Sequence, residues 1–324
     1  MTATIIKGKP IAEDIREQVK QEVEQLTRAG RPLKLVAIQV GENPASAIYT
    51  RMQRRNTESC GIHYELLTLP TEITEDDLIN EVQKLNVDRD VTGMVLQLPV
   101  PPQIDARRVV ATMDPFKDVE AVHPENMGRL MYGRHHVAPC TPLAVMELLR
   151  RNRPKMVGLE VVIVGHSDIV GKPLASMLLT SRDESPTVSI CHVATRDLRV
   201  HTQRADILIV AAGVAQARWL AHSRRSADTA TGAPDLSPLI TADMIQPGAT
   251  VIDVAINRIP AGFDDAGQPL RDEDGKVKMT TTGDVDYDGA IEVAGAITPV
   301  PGGVGPLTVA MLLKNIAACA PQGE

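Results

Sequence analysis

Glu160-Val161-Val162-Ile163-Val164-Gly165-His166-Ser167-Asp168-Ile169-Val170-Gly171-Lys172-Pro173 is the stretch that decides how the chain is read. Val161 to Val164 form an uninterrupted β-branched run, which suits a strand covered on both faces, as in a parallel sheet. The run stops at Gly165, and Pro173 with Leu174, Met177 and Leu178 opens a helical pattern. Strand, glycine-rich turn and helix together aim backbone N–H groups at a phosphate. The spacing Gly165-x-Ser167-x-x-x-Gly171 is not the usual G-x-G-x-x-G, so alone it also fits a tight turn in any α/β domain.

The same alternation continues on both sides. Upstream, helical spacing over Pro10–Arg28 is followed by a strand at Leu33–Val40 and a helix at Ala45–Cys60. Then come a strand at Tyr64–Leu69, a helix at Glu75–Leu85, a strand at Gly93–Leu98 and a helix at Asp105–Met113. Pro139-Cys140-Thr141-Pro142 introduces a helix from Leu143 to Asn152. Downstream, strands are expected at Thr187–His192, Ile207–Ala211 and Thr250–Val254, and a last helix from Pro306 to about Ala318. Strands and helices alternating over short links imply βαβ units and a mostly parallel sheet. Gln216 to Pro238 has no periodicity and reads as a surface insertion, and the acidic Asp264–Lys278 reads as a hairpin or loop. At 324 residues the chain is too long for one ordinary core, so two domains are expected.

Composition narrows the function. Hydrophobic residues make up 43% and charged residues 23%, as in globular proteins. Aromatics at 2% argue against stacking on nucleic acid, and a net charge of −7 argues against a phosphate backbone as partner. The four cysteines are scattered with no CxxC pair, so neither a disulfide framework nor a zinc site is expected. No secretory h-region or membrane-length apolar run is present, and a cytoplasmic protein without metal, membrane or nucleic-acid partner is the expectation.

Polar residues at element ends are the candidate site groups. Tyr49 and Gln53 are spaced i, i+4 on one helix face. Gln97 finishes an apolar strand, and Asp118 and Glu120 share one loop. Each also reads as a solvated face, a strand-end hydrogen bond or a turn acid. The acid that normally holds a ribose about twenty residues beyond the glycine turn is missing after Cys191-His192-Val193.

Seven segments together carry a resemblance. They are Pro44-Ala45-Ser46-x-x-Tyr49, Gln97-Leu98-Pro99, Lys117-Asp118-Val119, Pro139-Cys140-Thr141-Pro142, Gly165-x-Ser167-x-Ile169-Val170-Gly171-x-Pro173, Gly283-Asp284-Val285 and Pro299-Val300-Pro301-Gly302-Gly303-Val304-Gly305-Pro306. In this order the chain resembles the methylenetetrahydrofolate dehydrogenase/methenyltetrahydrofolate cyclohydrolase family, the bifunctional FolD type, over nearly its whole length. The resemblance implies an α/β folate-binding catalytic domain (1–146 with a C-terminal helix, 304–324) and a Rossmann-type, doubly wound NAD(P)-binding domain (147–303, with an insertion near 217–237). It also implies an active site in the cleft between them and a homodimer through the cofactor domain.

The implied catalytic residues are Tyr49, Gln53, Gln97 and Asp118. The tetrahydrofolate derivative is expected on Ser46, Tyr49, Leu98, Pro99, Asp118, Glu120, Pro299, Gly302 and Gly303. The cofactor is expected on Thr141, Gly165, His166, Ser167, Ile169, Val170, Pro173, Val193, Ala212, Gly213, Ile256 and Thr298.

Two departures matter. The family's Tyr-x-x-x-Lys reads Tyr49-Thr50-Arg51-Met52-Gln53, and its Asp-Val-Asp-Gly reads Asp118-Val119-Glu120-Ala121. That lysine is assigned the proton work of the cyclohydrolase step, and a glutamine does not titrate. The expectation is a dehydrogenase with weak or absent cyclohydrolase activity. The alternatives are the ordinary bifunctional enzyme and a catalytically quiet folate-binding paralogue. NADP-using members place an arginine after the first glycine of the turn and a serine after Cys-His. Here His166 and Val193 stand there, so NAD is favoured over NADP, with Arg196 and the arginines of the insertion as the open alternative.

Overall fold

Parallel pairing dominates, as the β-branched runs demand. The computed structural model describes residues 2–41, 44–153, 155–180, 185–224 and 233–320, and of residues 44–49 the backbone only. The first stretch contains β1 (Thr4–Ile5), α1 (Gly8–Arg28), β2 (Lys34–Val40), α2 (Pro44–Ser59), β3 (His63–Leu69), α3 (Glu75–Val87), β4 (Gly93–Leu96), α4 (Ala106–Val110) and α5 (Pro124–Met131). There follow α6 (Cys140–Asn152), β5 (Glu160–Val164), α7 (Gly171–Thr180), β6 (Thr187–Cys191), α8 (Leu198–Thr202), β7 (Ile207–Val210) and α9 (Val214–Ser223). The chain ends with β8 (Thr250–Asp253), β9 (Asn257–Pro260), β10 (Met279–Thr282), α10 (Tyr287–Ala290), β11 (Ala296–Ile297) and α11 (Val304–Ala318).

Two compact units emerge, one of residues 10–144 with 307–324, the other of residues 1–9 with 145–306. In the first, β2 lies between β3 and β4 in a three-stranded parallel sheet. Val36, Ile38, Met94 and Leu96 pack there against Leu78 and Val82 of α3 and Val109 of α4. In the second, a six-stranded parallel sheet runs β1-β11-β8-β7-β5-β6. Val161 to Val164 of β5 are fully buried between β6 and β7, the two-sided burial that their unbroken apolar run requires. β9 and β10 form a separate antiparallel pair whose connection is the acidic 261–278 loop.

Three expectations need correction. Residues 1–9 belong with the second unit, because β1 pairs with β11 through Thr4 to Ala296 and Ile5 to Ile297. That pairing spans almost the whole chain and leaves no local signal. Residues 217–223, expected in an irregular insertion, are the body of α9. Left-handed Gly213 (φ 65°) precedes this helix and hides its start from a helical reading. The rest of that insertion, 225–232, lies outside the described residues. The helix expected over Asp105–Met113 is shorter, and α5 was not foreseen. His123 caps α5 by accepting from the Glu125 N–H, and Pro124 opens it.

Candidate functional site

In the first unit the site grows from one stripe of α2. Thr50, Gln53 and Thr57 recur at helical spacing and are all buried, while Arg51, Met52, Arg54 and Arg55 flank them. Gln97 follows β4 at the carboxyl end of the strand, where α/β sheets carry their ligands. The Gln53 Oε1 accepts two hydrogen bonds, from the Gln97 Nε2 at 3.0 Å and from the Tyr64 hydroxyl at 3.0 Å. Gln53, Tyr64 and Gln97 are 4%, 4% and 7% exposed, so α2, β3 and β4 each deliver one polar tip into a closed contact. The Gln53 Nε2 and the Thr50 Oγ1 are buried without a hydrogen-bond partner among the described residues. Above the Tyr64 ring lies the Arg54 guanidinium, 5.3 Å from the centroid. Sequence reasoning missed Tyr64. Its one signal was a phenol in a parallel strand, which needs a partner for its hydroxyl when buried. Ser46 and Tyr49 lie in α2, and their side chains are outside the described residues.

The second element is the loop after residue 116. It presses on β4: a Cβ on Gly93 would meet the Val119 Cγ1 at 2.2 Å, and the Met94 N–H donates to the Lys117 carbonyl at 2.8 Å. Asp118 is 1% exposed, and its Oδ2 accepts from the His123 N–H at 2.7 Å and the Asn126 Nδ2 at 3.0 Å. Its carboxylate is thereby tied to the start of α5. Glu120 carries the unusual acidity. Loss of hydration, with Asp118 beside it, pushes its carboxyl up to about 7. Ala121 sits at φ 56°, so the chain keeps a left-handed turn here with a residue that tolerates it poorly. Leu98 is exposed beyond Gln97, and the Leu98–Pro99 bond is cis. Thr141 lies in α6, its hydroxyl 3.5 Å from that of Thr308.

In the second unit β5 ends at Gly165 (φ 131°), where a Cβ would meet the Ala211 carbonyl oxygen at 2.3 Å. A Cβ on Gly171 would lie 2.0 Å from the Gly165 carbonyl oxygen, so the turn closes tightly on itself. Ser167 Oγ accepts from the Val170 N–H, and Pro173 is buried in the first turn of α7. The His166 ring stacks on His192 with centroids 4.7 Å apart, and Val193 beside it is 62% exposed. Ile169 and Ile256 are also exposed.

The N–H groups of Ala212, Gly213 and Val214 all donate to the Asp284 carboxylate at 3.0, 2.7 and 3.0 Å, which neutralises the start of α9. Asn257 Nδ2 donates to the same carboxylate. Burial pushes the neighbouring Asp253 up to about 7, against the N–H groups of Val285, Asp284 and Ala255 that favour its charged form. The Thr298 hydroxyl is engaged with the Asp253 backbone and is fully buried. Gly302 (φ 111°) and Gly303 follow Pro299 in a closed turn, with the Gly303 N–H donating to the Pro299 carbonyl. The Asp253–Asp284 pair was also missed. Its signal was the quoted Gly283-Asp284-Val285 segment, since a Cβ on Gly283 would meet the Asp253 Oδ2 at 1.9 Å.

Two family profiles cover most of the chain. The one described as "Tetrahydrofolate dehydrogenase/cyclohydrolase, catalytic domain" matches residues 6–120, and the "NAD(P)-binding domain" of the same family matches 139–218 and 216–323. The chain belongs to the tetrahydrofolate dehydrogenase/cyclohydrolase family. Within that family, "Bifunctional protein FolD" of Syntrophobacter fumaroxidans is 42% identical over 322 residues, covering 98% of each chain. The crystal structure of the bifunctional enzyme FolD from Campylobacter jejuni superposes with a TM-score of 0.81 at 36% identity, covering 98% of each chain. That of Trypanosoma brucei FolD, complexed with NADP and an inhibitor, gives 0.80 at 33% identity over 98% of this chain and 97% of that one.

A member of this family needs a place for NAD(P), and the residues present fit one. Gly165 and Gly171 let the backbone close tightly at the start of α7, where N–H groups and the helix dipole favour a phosphate. Exposed Ile169, Val193 and Ile256 supply apolar surface on the same unit. On the other unit of this tetrahydrofolate dehydrogenase/cyclohydrolase family member, the buried contact is built from two amides and a phenol. The group whose acidity falls near neutrality is Glu120. Among the described residues no cluster of three or more His, Cys, Asp or Glu side chains could hold a metal, and no helix is long and apolar enough to cross a membrane.

Proposed function

We propose that the chain is a 5,10-methylenetetrahydrofolate dehydrogenase that passes hydride to NAD(P)+, favours NAD+, and hydrolyses its 5,10-methenyl product weakly or not at all. Gln53 carries this reading: a neutral amide, buried against Gln97 and Tyr64, at the position where the family pattern places a proton-shuttling lysine. Hydride transfer asks the protein to hold two reactants in register. When bound, the dinucleotide supplies the hydride acceptor. Hydrolysis of the methenyl cation additionally requires a proton to leave the attacking water and another to reach the departing ring nitrogen. A glutamine does neither. Its neighbours on α2, Arg51 and Arg54, carry guanidinium groups, which are poor proton shuttles. The folate is assigned to the unit of residues 10–144 and 307–324, on Ser46, Tyr49, Gln53, Gln97, Leu98 and Pro99, with Asp118 and Glu120 at its acidic side. Pro299, Gly302 and Gly303 are assigned to the folate by the resemblance alone. The dinucleotide is assigned to Gly165, His166, Ser167, Ile169, Val170, Pro173, Val193, Ala212, Gly213, Ile256 and Thr298, with Thr141 as a further contact.

The second reading is the bifunctional enzyme. The bifunctional FolD relatives favour it, and so does Glu120, whose carboxyl is pushed up to about 7 and could move a proton in place of the lysine. The preference for NAD+ rests on Val193, which offers no donor to a 2′-phosphate, and on His166, whose ring lies against His192. A homodimer through the cofactor unit fits β6, an edge strand with exposed Ile190. Four free cysteines fit the cytoplasm.

Initial rates of NADH and NADPH formation from 5,10-methylenetetrahydrofolate test the first part. The expected result is turnover with the higher kcat/KM for NAD+; an NADP+ preference contradicts the cofactor assignment. The Gln53→Lys variant should hydrolyse added methenyltetrahydrofolate faster than the parent. An unchanged rate removes Gln53 as the cause, and rapid hydrolysis by the parent favours the bifunctional reading.

A further inference from the structure

We propose that Tyr64 is a positioning residue for folate binding, fixing the Gln53 amide so that its N–H groups face the substrate; this rests on the folate reading above. A carboxamide has one acceptor oxygen and one donor nitrogen, on opposite sides of its terminal carbon. Both recorded hydrogen bonds converge on the oxygen, one from the Tyr64 hydroxyl and one from the Gln97 Nε2, each 3.0 Å long. The nitrogen is therefore turned away from Tyr64 and Gln97, and it is buried with no partner among the described residues. One turn earlier on the same stripe, the Thr50 hydroxyl is in the same condition. Buried polar groups nearly always find partners, so two orphans three residues apart, beside a strand-end glutamine, point to a ligand that presents hydrogen-bond acceptors. The ring carbonyl or a ring nitrogen of a reduced pterin has that chemistry.

A glutamine pair alone would not fix the direction. If both amides turned over together, Gln53 would donate to Gln97 and its outward donor would be lost. A phenol that donates to the Gln53 oxygen opposes that reversal. Arg54 strengthens the bias: a guanidinium 5.3 Å from the Tyr64 centroid draws electron density from the phenol, making it a better donor and a poorer acceptor. Three elements thus act on one amide, with Gln53 from α2, Tyr64 from β3 and Gln97 following β4. The same arrangement does no proton transfer, so its contribution is to affinity and orientation.

Calorimetric titration of the full-length protein with tetrahydrofolate reads the effect without turnover, alongside dehydrogenase kinetics. Tyr64→Phe keeps the ring and removes the hydroxyl. It should weaken tetrahydrofolate binding about five- to tenfold, the worth of one neutral hydrogen bond. The methylenetetrahydrofolate KM should rise in parallel, with the KM for NAD+ unchanged. Gln53→Ala should weaken binding at least as much, and adding Tyr64→Phe to it should change nothing further, because a positioning residue has nothing left to position. Arg54→Met, which leaves both hydrogen bonds in place, should give a smaller loss in the same direction and serves if Tyr64→Phe does not fold. Unchanged affinity in the folded variant, or fully additive losses in the double variant, overturns the role of Tyr64. Tetrahydrofolate binding by the parent without NAD(P)+ reduction sinks the dehydrogenase reading and leaves the role of Tyr64 to the binding comparison. Absence of any binding by the parent sinks both.

Discussion

At the scale of single residues, Glu120 makes the sharpest claim about pH. Its carboxyl is pushed up to about 7 by lost hydration first and by Asp118 second. A carboxyl raised in the folded state binds its proton more tightly there than in the unfolded chain. Its contribution to stability is therefore complete below the ordinary carboxyl range and is lost as pH rises through about 7. The loss amounts to about 3 kcal/mol at most. Glu120→Gln should remove this slope, so the parent and the variant diverge in urea-unfolding stability between about pH 4.5 and pH 7, in favour of the variant at the upper end. A constant difference over that window contradicts the placement of the charge. Buried Asp253 titrates in the same direction in the other unit and remains in both proteins, so it cancels from the comparison. Gln97, Asp118 and Glu120 were legible as candidates because polar groups at strand ends and in loops stand out in α/β patterns, and Gln53 because it shares a helix face with Tyr49. Tyr64 was not. Its significance lies in a hydroxyl contact with a residue eleven positions away, and spacing along the chain does not encode that contact.

Among elements, the strand–turn–helix of β5 and α7 was readable because one feature, close backbone approach, forces two glycines. Gly171→Ala would drive a Cβ to within 2.0 Å of the Gly165 carbonyl, and backbone on both sides of the contact cannot yield cheaply. The variant should show a raised KM for NAD+ and a lower midpoint of thermal unfolding; an unchanged KM removes the turn from the cofactor site. Gly128 is the opposite case. It interrupts α5 with open space around its missing Cβ, so Gly128→Ala should stabilise the protein by about 0.5–1 kcal/mol in denaturant titrations. A loss of stability there would show that α5 needs the glycine. The same residue explains why α5 escaped notice, since an eight-residue helix with glycine inside it offers little periodicity. The start of α9 was obscured in a similar way. Its first N–H groups are satisfied by Asp284, a residue about seventy positions downstream, instead of by a local cap.

On the scale of the whole molecule, long-range contacts set what pattern reading could not reach. Residues 1–9 join the second unit through β1 and β11, and the last helix serves the first unit through Asn315. The Asn315 Nδ2 donates to the carbonyls of Val119 and Ala138, each at 2.8 Å, beneath the loop that carries Asp118 and Glu120. Asn315→Ala takes the amide donor from two buried carbonyls, leaving Val119 only the Cys140 thiol, and should cost about 1–3 kcal/mol, measured by chemical denaturation. A neutral result would detach α11 from that loop. The two-unit α/β design was legible from alternation and length, whereas the placement of residues 1–9 was not, because β1 pairs with β11 across the whole chain. The central claim concerns the product. With purified protein, NAD+ and 5,10-methylenetetrahydrofolate, NADH and the methenyl absorbance should rise together in equal amounts, and the methenyl signal should then decay only at the rate of the buffer. NADH formation without accumulation of methenyl product contradicts the account.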